Sequence, residues 1–317
     1  MVAADTHLGN SGLALKRLGF GCEQLGGYQW GSIDPVSIAA AVERAVDLGV
    51  GLFDTADCYG RGESERRLGR LLAPHRARVL LASKFGVRFD TAGEVYYDSS
   101  PAWAREALEG SLRRLRAECI DLYQMHYWDR RTALAELFDE LERLREAGKL
   151  RWYGLSNYQD CAAVPSGYPG LVSASLEYSL VARRNESAAR AFLSNGLSFL
   201  SYGSLGQGLL SGKYDRTTRF SPDDRRSRAA YGNFHGTRLA RNLGILEVVR
   251  ACARELEVST VQVAVAWILH RLPGSIPLVG IKTSAQLLEV AAALQLRLPQ
   301  RIIAALDVVS ARGGEES

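Results

Sequence analysis

Four residues have the types needed to move a proton to or from an oxygen atom: Asp54, Tyr59, Lys84 and His126. A tyrosine phenol, with a reference pKa near ~10, exchanges protons poorly at neutral pH. A lysine ammonium beside it favours the phenolate and lowers that value, so Lys84 is expected to act on Tyr59 in this way. Asp54 would hold the ammonium in place and keep it charged, while His126 would hydrogen-bond a substrate oxygen and orient it. Each residue also has an ordinary structural reading, as a turn-capping aspartate, a loop tyrosine, a strand-end lysine and a core histidine. Their positions relative to the predicted strands set them apart.

Those strands are short apolar, β-branched or aromatic runs at 17–22, 50–55, 79–84, 121–126, 151–155, 172–177, 198–202 and 276–280. They alternate with amphipathic stretches, the pattern of repeated βα units around a parallel sheet. Eight of them predict a closed (β/α)8 TIM barrel, an α/β fold in a single domain over 1–317, with short flexible tails at about 1–12 and 311–317. Asp54 and Tyr59 then follow strand two, Lys84 ends strand three and His126 ends strand four. On such a barrel, strand C-terminal ends are where catalytic groups sit. Helices are predicted at 35–48, 101–117, 132–147 and 259–271, opened by Asp34 before Pro35, Ser100 before Pro101, Thr132, and Ser259 or Thr260. The first is expected to turn Val36, Ala39, Ala40, Val42, Val46 and Leu48 inward and to stop at Gly49. The stretch 211–242 breaks the rhythm: it is long, polar and rich in arginine, and reads as an inserted loop between strand seven and a helix near 243–256.

Composition narrows the function classes. With 47% hydrophobic and 23% charged residues among 317, the chain can bury a large core. No apolar run is long enough to span a bilayer and no secretory leader is legible at the start, so neither membrane insertion nor secretion is expected. Five cysteines, Cys22, Cys58, Cys119, Cys161 and Cys252, are odd in number and never form a CxxC pair, which fits a reducing, cytoplasmic setting. The 39 basic residues are interleaved with 35 acidic ones for a net charge of +4, so no nucleic-acid partner is implied. Scattered histidines without zinc spacing predict no metal. The glycines near 206–213 are misplaced for a P-loop, and Gly19 and Gly21 alone do not make a Rossmann fingerprint.

The segments GVGLFDTADCYGRGESERRLG (49–69), LLASKFG (80–86), CIDLYQMHYWD (119–129), GKLRWYGLSNY (148–158) and LSFLSYGSLGQGLLSGKY (197–214) together resemble the aldo-keto reductase superfamily, in order and over nearly the whole chain. The resemblance implies a barrel that binds NADPH more often than NADH, uses no metal, and interconverts carbonyls and alcohols. Asp54, Tyr59, Lys84 and His126 match that family's catalytic tetrad. Ser156 and Asn157 match the pair that holds the nicotinamide carboxamide, and Tyr202 the aromatic on which the nicotinamide stacks. Ser175 stands where the family usually has Gln. Backbone groups of Leu205, Gly206 and Gly208 would approach the pyrophosphate, with Lys213 and Arg226 supplying charge. In the stretch from Gly280, Lys282 and Thr283 would take a 2′-phosphate and Gln286 and Glu289 the adenine side, with Val290 replacing a common Asn.

A substrate wall is expected from Tyr28 and Trp30 after strand one, Phe85 after Lys84, and Tyr127 and Trp128 after His126. Aromatic faces suit apolar aldehydes and sugar rings alike, so the partner is a small carbonyl or alcohol of unspecified structure. Two other readings stay open: a cofactor-binding regulatory subunit like the beta subunits of voltage-gated potassium channels, or a dehydrogenase of a sugar or alcohol working in the oxidative direction. Nothing in the sequence sets the oligomeric state.

Overall fold

The computed structural model of the chain describes residues 5–27 and 29–311. Its central strands are β1 Gly19–Gly21, β2 Leu52–Asp54, β3 Leu80–Phe85, β4 Ile120–Met125, β5 Leu150–Ser156, β6 Leu171–Glu177, β7 Ser198–Tyr202 and β8 Ile276–Gly280. Each pairs in parallel with the next, and β8 pairs with β1 to close a barrel. All eight lie within two residues of the expected edges. Around them run α1 Pro35–Asp47, α2 Glu63–Leu72, α3 Pro101–Leu115, α4 Leu134–Glu146, α5 Glu186–Ser194, α6 Gly236–Glu255, α7 Thr260–Arg271, α8 Ser284–Ala292 and α9 Gln300–Ala311.

Local chemistry explains the helix starts. Asp34 accepts hydrogen bonds from the amides of Val36 and Ser37, Ser100 accepts one from Trp103, and Ser259 forms a reciprocal capping box with Gln262. Thr132 is not a cap: its hydroxyl donates to Asp129 (2.8 Å), and α4 begins after Ala133. Helix α1 buries Ile38, Ala41, Val42, Ala45 and Val46, spaced i, i+3, i+4, i+7 and i+8. The expected inward face was therefore rotated, and Val36 is 77% exposed. Helix α6 starts at Gly236, not near 243, so the loop after β7 ends at residue 235. The reason is Asn242, a polar residue at a buried helix position, which interrupts the apolar period and bonds Asn233 (3.0 Å).

The interior layer nearest the strand N-termini is apolar, built from Leu52, Ala82, Leu122, Val172, Leu200, Ile276 and Leu278. Leu8 and Leu15 join it from a hairpin, Asp5–His7 with Ala14–Lys16, pinned where the Gly9 amide donates to Ser198 Oγ (2.7 Å). Residues 5–12 fall in the stretch expected as a tail, yet they stopper this end of the barrel. Polar side chains replace apolar ones towards the strand C-termini. Two larger clusters fill the space between strands and helices. Among the described residues, no helix is long and apolar enough to cross a membrane.

Candidate active site

Strand pairing brings the four chemistry-bearing residues to one end of the barrel. Asp54 ends β2, Lys84 lies one residue before the end of β3, and His126 follows β4 with its amide on Phe85 O (2.8 Å). Tyr59 comes from the turn after β2, whose amide returns to Ala56 O (3.2 Å). A close backbone approach fixes this turn: a Cβ on Gly60, at φ +60°, would lie 2.4 Å from Gly26 O, and one on Gly26 would lie 2.8 Å from Gly60 N. Only glycine on both sides lets the Tyr59 turn rest against the β1–α1 loop.

The Lys84 ammonium donates to Asp54 Oδ2 at 2.5 Å and to Thr55 O at 3.0 Å, and Gln124 Nε2 donates to Asp54 Oδ1 at 3.2 Å. Lys84 is 3% and Asp54 5% exposed, so this is a buried ion pair with its remaining carboxylate oxygen satisfied. The same ammonium lies 5.3 Å from the Tyr59 ring centre, and the His126 ring meets that ring edge-on at 5.8 Å. His126 also stacks on Tyr127 (5.0 Å), and its Nδ1 lies 3.6 Å from Cys58 Sγ.

The electrostatics differ from expectation at one point. Burial pushes the Tyr59 phenol well above its ordinary value, and the negative charges of Glu23 and Asp54 push it further. The expected lowering by Lys84 is not found. The physical reason is that burial, the largest cause, outweighs Lys84, whose ammonium is already held by Asp54 at contact distance. His126 is held well below the ordinary histidine value by burial first and by the Lys84 charge second, so its ring is neutral.

A second group of residues lines the ends of β5 to β8. Ser156 and Ser175 sit side by side in the β5–β6 register, both buried, and Ser175 Oγ has no hydrogen-bond partner among the described residues. Asn157 adopts φ +57°, donates from Nδ2 to His126 O (3.0 Å), and accepts from the Tyr202 hydroxyl (2.6 Å). Leu205 packs partly into the core, and the amides of Gly206 and Gly208 are taken up by Gly203 O (2.8 Å) and Leu205 O (3.0 Å). These two glycines serve first as turn formers, at φ +56° and +96°.

Three cations converge nearby. Lys282 follows Gly280 at the end of β8, and the charges of Arg226 and Lys213 act on it to lower its pKa, after burial as the larger cause. Its ammonium is bonded to Trp30 O and to Ser32 O (3.3 Å), while Arg226 pairs with Asp224 at 2.6 Å and bonds the Tyr214 hydroxyl. Thr283 caps α8 by accepting from the Gln286 amide (3.2 Å), and Gln286 Oε1 accepts from the Lys282 amide (2.8 Å). Glu289 is half-buried one turn along α8. A lysine beside a helix N-terminus, reinforced by two further cations, suits an anion such as a phosphate.

The expected aromatic wall is only partly assembled. Phe85 is fully buried and stacks on Tyr123 (4.8 Å) between the barrel and its helices. It is corrected to a core residue, because successive strand side chains alternate faces and Lys84 takes the inward one. Trp128 is half-buried, donates from its indole to Thr132 O (2.8 Å) and meets Tyr158 edge-on. Tyr28 lies outside the described residues. Tyr127 does adjoin the tetrad, sandwiched between His126 and Tyr97 (4.7 Å), and its phenol is pushed up to about 12 by burial. Tyr97 belongs to a hairpin, Val87–Phe89 with Val95–Tyr97, inserted after β3. Trp30 packs edge-on against Tyr231 (6.1 Å) from the long loop after β7. The same loop supplies Arg225, which ion-pairs with Glu23, gives its amide to Gln29 O (3.0 Å) and covers the Trp30 and Tyr231 rings. The loops after β1 and β7 are thereby fastened together over the end of β8. Tyr97, Tyr231, Glu23 and Arg225 carry no local signal, since their role exists only through partners distant in sequence. Gln124 could have been found, because it shares the inward face of β4 two residues before His126.

Comparison with known proteins is consistent along the chain. The model of the Aldo/keto reductase family matches residues 17–311. An aldo-keto reductase of Bacillus subtilis, YhdN, is 30% identical over 287 residues, covering 89% of this chain and 86% of that protein. A Schizosaccharomyces pombe aldo-keto reductase named for NADP(+), yakc, is 29% identical over 293 residues, covering 89% and 84%. The structure of a glycerol dehydrogenase from Gluconobacter oxydans superimposes with a TM-score of 0.86 at 30% identity, covering 100% of this chain and 98% of that one.

Proposed function

Since the chain belongs to the aldo/keto reductase family, we propose that it is an NADP(H)-dependent oxidoreductase interconverting a carbonyl and an alcohol, with Tyr59 as the general acid. One observation carries this reading: the buried Lys84–Asp54 pair, the Tyr59 phenol and the neutral His126 ring meet at a single barrel mouth. The fission-yeast relative is named for NADP(+), which supports NADP(H) over NAD(H). So does this chain's own charge: Lys282, Arg226 and Lys213 act on one another with Asp224 as the carboxylate among them, which leaves a net positive site suited to a phosphate.

When bound, the nicotinamide supplies or takes up hydride. Lys282, Arg226 and Lys213 would hold the phosphates, Ser156 and Asn157 the carboxamide, and Tyr202 the face of the ring. His126, neutral at physiological pH, would donate a hydrogen bond to the substrate oxygen, and Tyr59 would deliver a proton to it. A phenol pushed upward keeps its proton at neutral pH, so the residues stand ready as an acid for reduction. The likeness to a glycerol dehydrogenase favours a second reading, in which a small polyol is oxidised at the same site.

The test is a carbonyl and polyol panel followed at the nicotinamide absorbance band in both directions. Tyr59→Phe is expected to bind NADPH as the parent does and to lose turnover by roughly 10²–10⁴-fold. Parental turnover in that variant would remove Tyr59 from the acid role.

A further inference from the structure

The turn that carries Tyr59 carries a second group into the same site. Cys58 Sγ lies 3.6 Å from His126 Nδ1, within reach of a sulfur hydrogen bond, and Nε2 of that ring has no partner among the described residues. The turn is closed by bonds from the Tyr59 amide to Ala56 O and from the Arg61 amide to Cys58 O (3.1 Å), so one turn places both thiol and phenol. We propose that Cys58 is a positioning residue for His126, its S–H donating to Nδ1 and holding the imidazole as the Nε2–H tautomer.

The direction of the bond follows from donor and acceptor strength. An unprotonated imidazole nitrogen is a good acceptor and a thiol sulfur a poor one, so S–H to Nδ1 is favoured over Nδ1–H to sulfur. Both groups are in the neutral forms this requires: burial and the Asp57 charge hold the Cys58 thiol well above its ordinary value, and His126 is held below its own. With Nδ1 occupied as an acceptor, the ring proton sits on Nε2, the nitrogen free to donate to a substrate oxygen. Without the thiol, both tautomers compete, and the Nδ1–H form offers that oxygen only a lone pair. The consequence for turnover rests on the carbonyl chemistry proposed above; the tautomer itself does not.

Two substitutions separate a donor from a packing role. Cys58→Val fills the space without a donor, and Cys58→Ala removes both. Each protein, labelled with 15N in its imidazoles, is compared with the parent by NMR, the His126 signals being assigned by their loss in His126→Gln. The expected result is a parental Nε2–H pattern with a hydrogen-bonded Nδ1, lost alike in both variants. With it, kcat should fall about three- to tenfold, the worth of one ordinary hydrogen bond, while the NADPH dissociation constant stays at its parental value. A parental Nδ1–H pattern overturns the proposal. So does Cys58→Val that matches the parent in both signals and kcat while only Cys58→Ala is slow, since packing alone then explains the contact. If the parent reduces no carbonyl, the proposed function fails, and the nitrogen signals still decide the role of Cys58.

Discussion

Replacing Lys84 with methionine tests the buried pair directly, because it removes the charge and keeps much of the side-chain volume. Asp54, 5% exposed, would be left with Gln124 Nε2 at 3.2 Å as its remaining side-chain donor. Removing one partner of a buried pair costs about 3–5 kcal/mol, since the other charge is left uncompensated. Each kcal/mol moves the melting temperature of a large domain by about 2 °C, so Lys84→Met should melt roughly 6–10 °C below the parent at pH 8. The loss must also depend on pH. An orphaned, desolvated carboxylate has its pKa raised in the folded state, so the folded variant binds a proton that the unfolded chain releases. Stability of the variant relative to the parent therefore rises as pH falls from 8 towards 5. Adding Asp54→Asn removes the charge, and the double variant should melt above Lys84→Met at pH 8. Differential scanning calorimetry of the three proteins at both pH values is the assay. A single variant within 2 °C of the parent at pH 8, or a double variant no better than the single, would refute the assignment of a desolvated, mutually dependent pair.

Two further outcomes are expected. Lys282→Ala should weaken NADPH binding, read by cofactor fluorescence, by a much larger factor than NADH binding, and equal losses for the two would take Lys282 out of the 2′-phosphate site. Burial, with Glu65 adding to it, raises the Asp57 carboxyl to about 8 from an ordinary 3.8, and its Oδ1 is a buried atom without a hydrogen-bond partner among the described residues. Between those values the folded chain holds a proton the unfolded chain has lost, so stability falls as pH rises from about 4 to about 8. Asp57→Asn should flatten that decline in a series of melting curves, and a slope like the parent's would show that other groups cause it.

The barrel was legible because its signal is local and repeated. Each strand is a short apolar run between turn residues, and eight of them alternating with helices leave few other closed arrangements. The errors lie where local pattern and tertiary demand disagree. Val36 is apolar but faces outward at 77% exposure, because α1 seats Ile38 and Val42 against the barrel instead. Asn242 is polar but fully buried, because Asn233 satisfies it across the loop, and so the first turns of α6 read as part of the loop. The N-terminal hairpin looks like a tail in composition, and only the apolar mouth formed by Val172, Leu200 and Ile276 gives Leu8 a place to go.

Within the site the same division holds, and it separates proton chemistry from substrate choice. The tetrad residues project from strand ends or from the first turn beyond them, so spacing alone predicts that they meet. The walls of the mouth are made by loops bonded to other loops: Arg225 to Glu23, Tyr231 to Trp30, Tyr97 to Tyr127. None of these pairs is fixed by a strand register, and each joins segments whose separation in sequence tells nothing of their contact. Phe85 shows the limit from the other side, for it stands next to Lys84 in sequence and on the opposite face of the sheet. A single residue of displacement along β3 turned an expected substrate contact into core packing. Swapping loops on this barrel would therefore rebuild the walls of the mouth around Tyr59, while Asp54 and Lys84, anchored in paired strands and buried with each other, would keep their geometry.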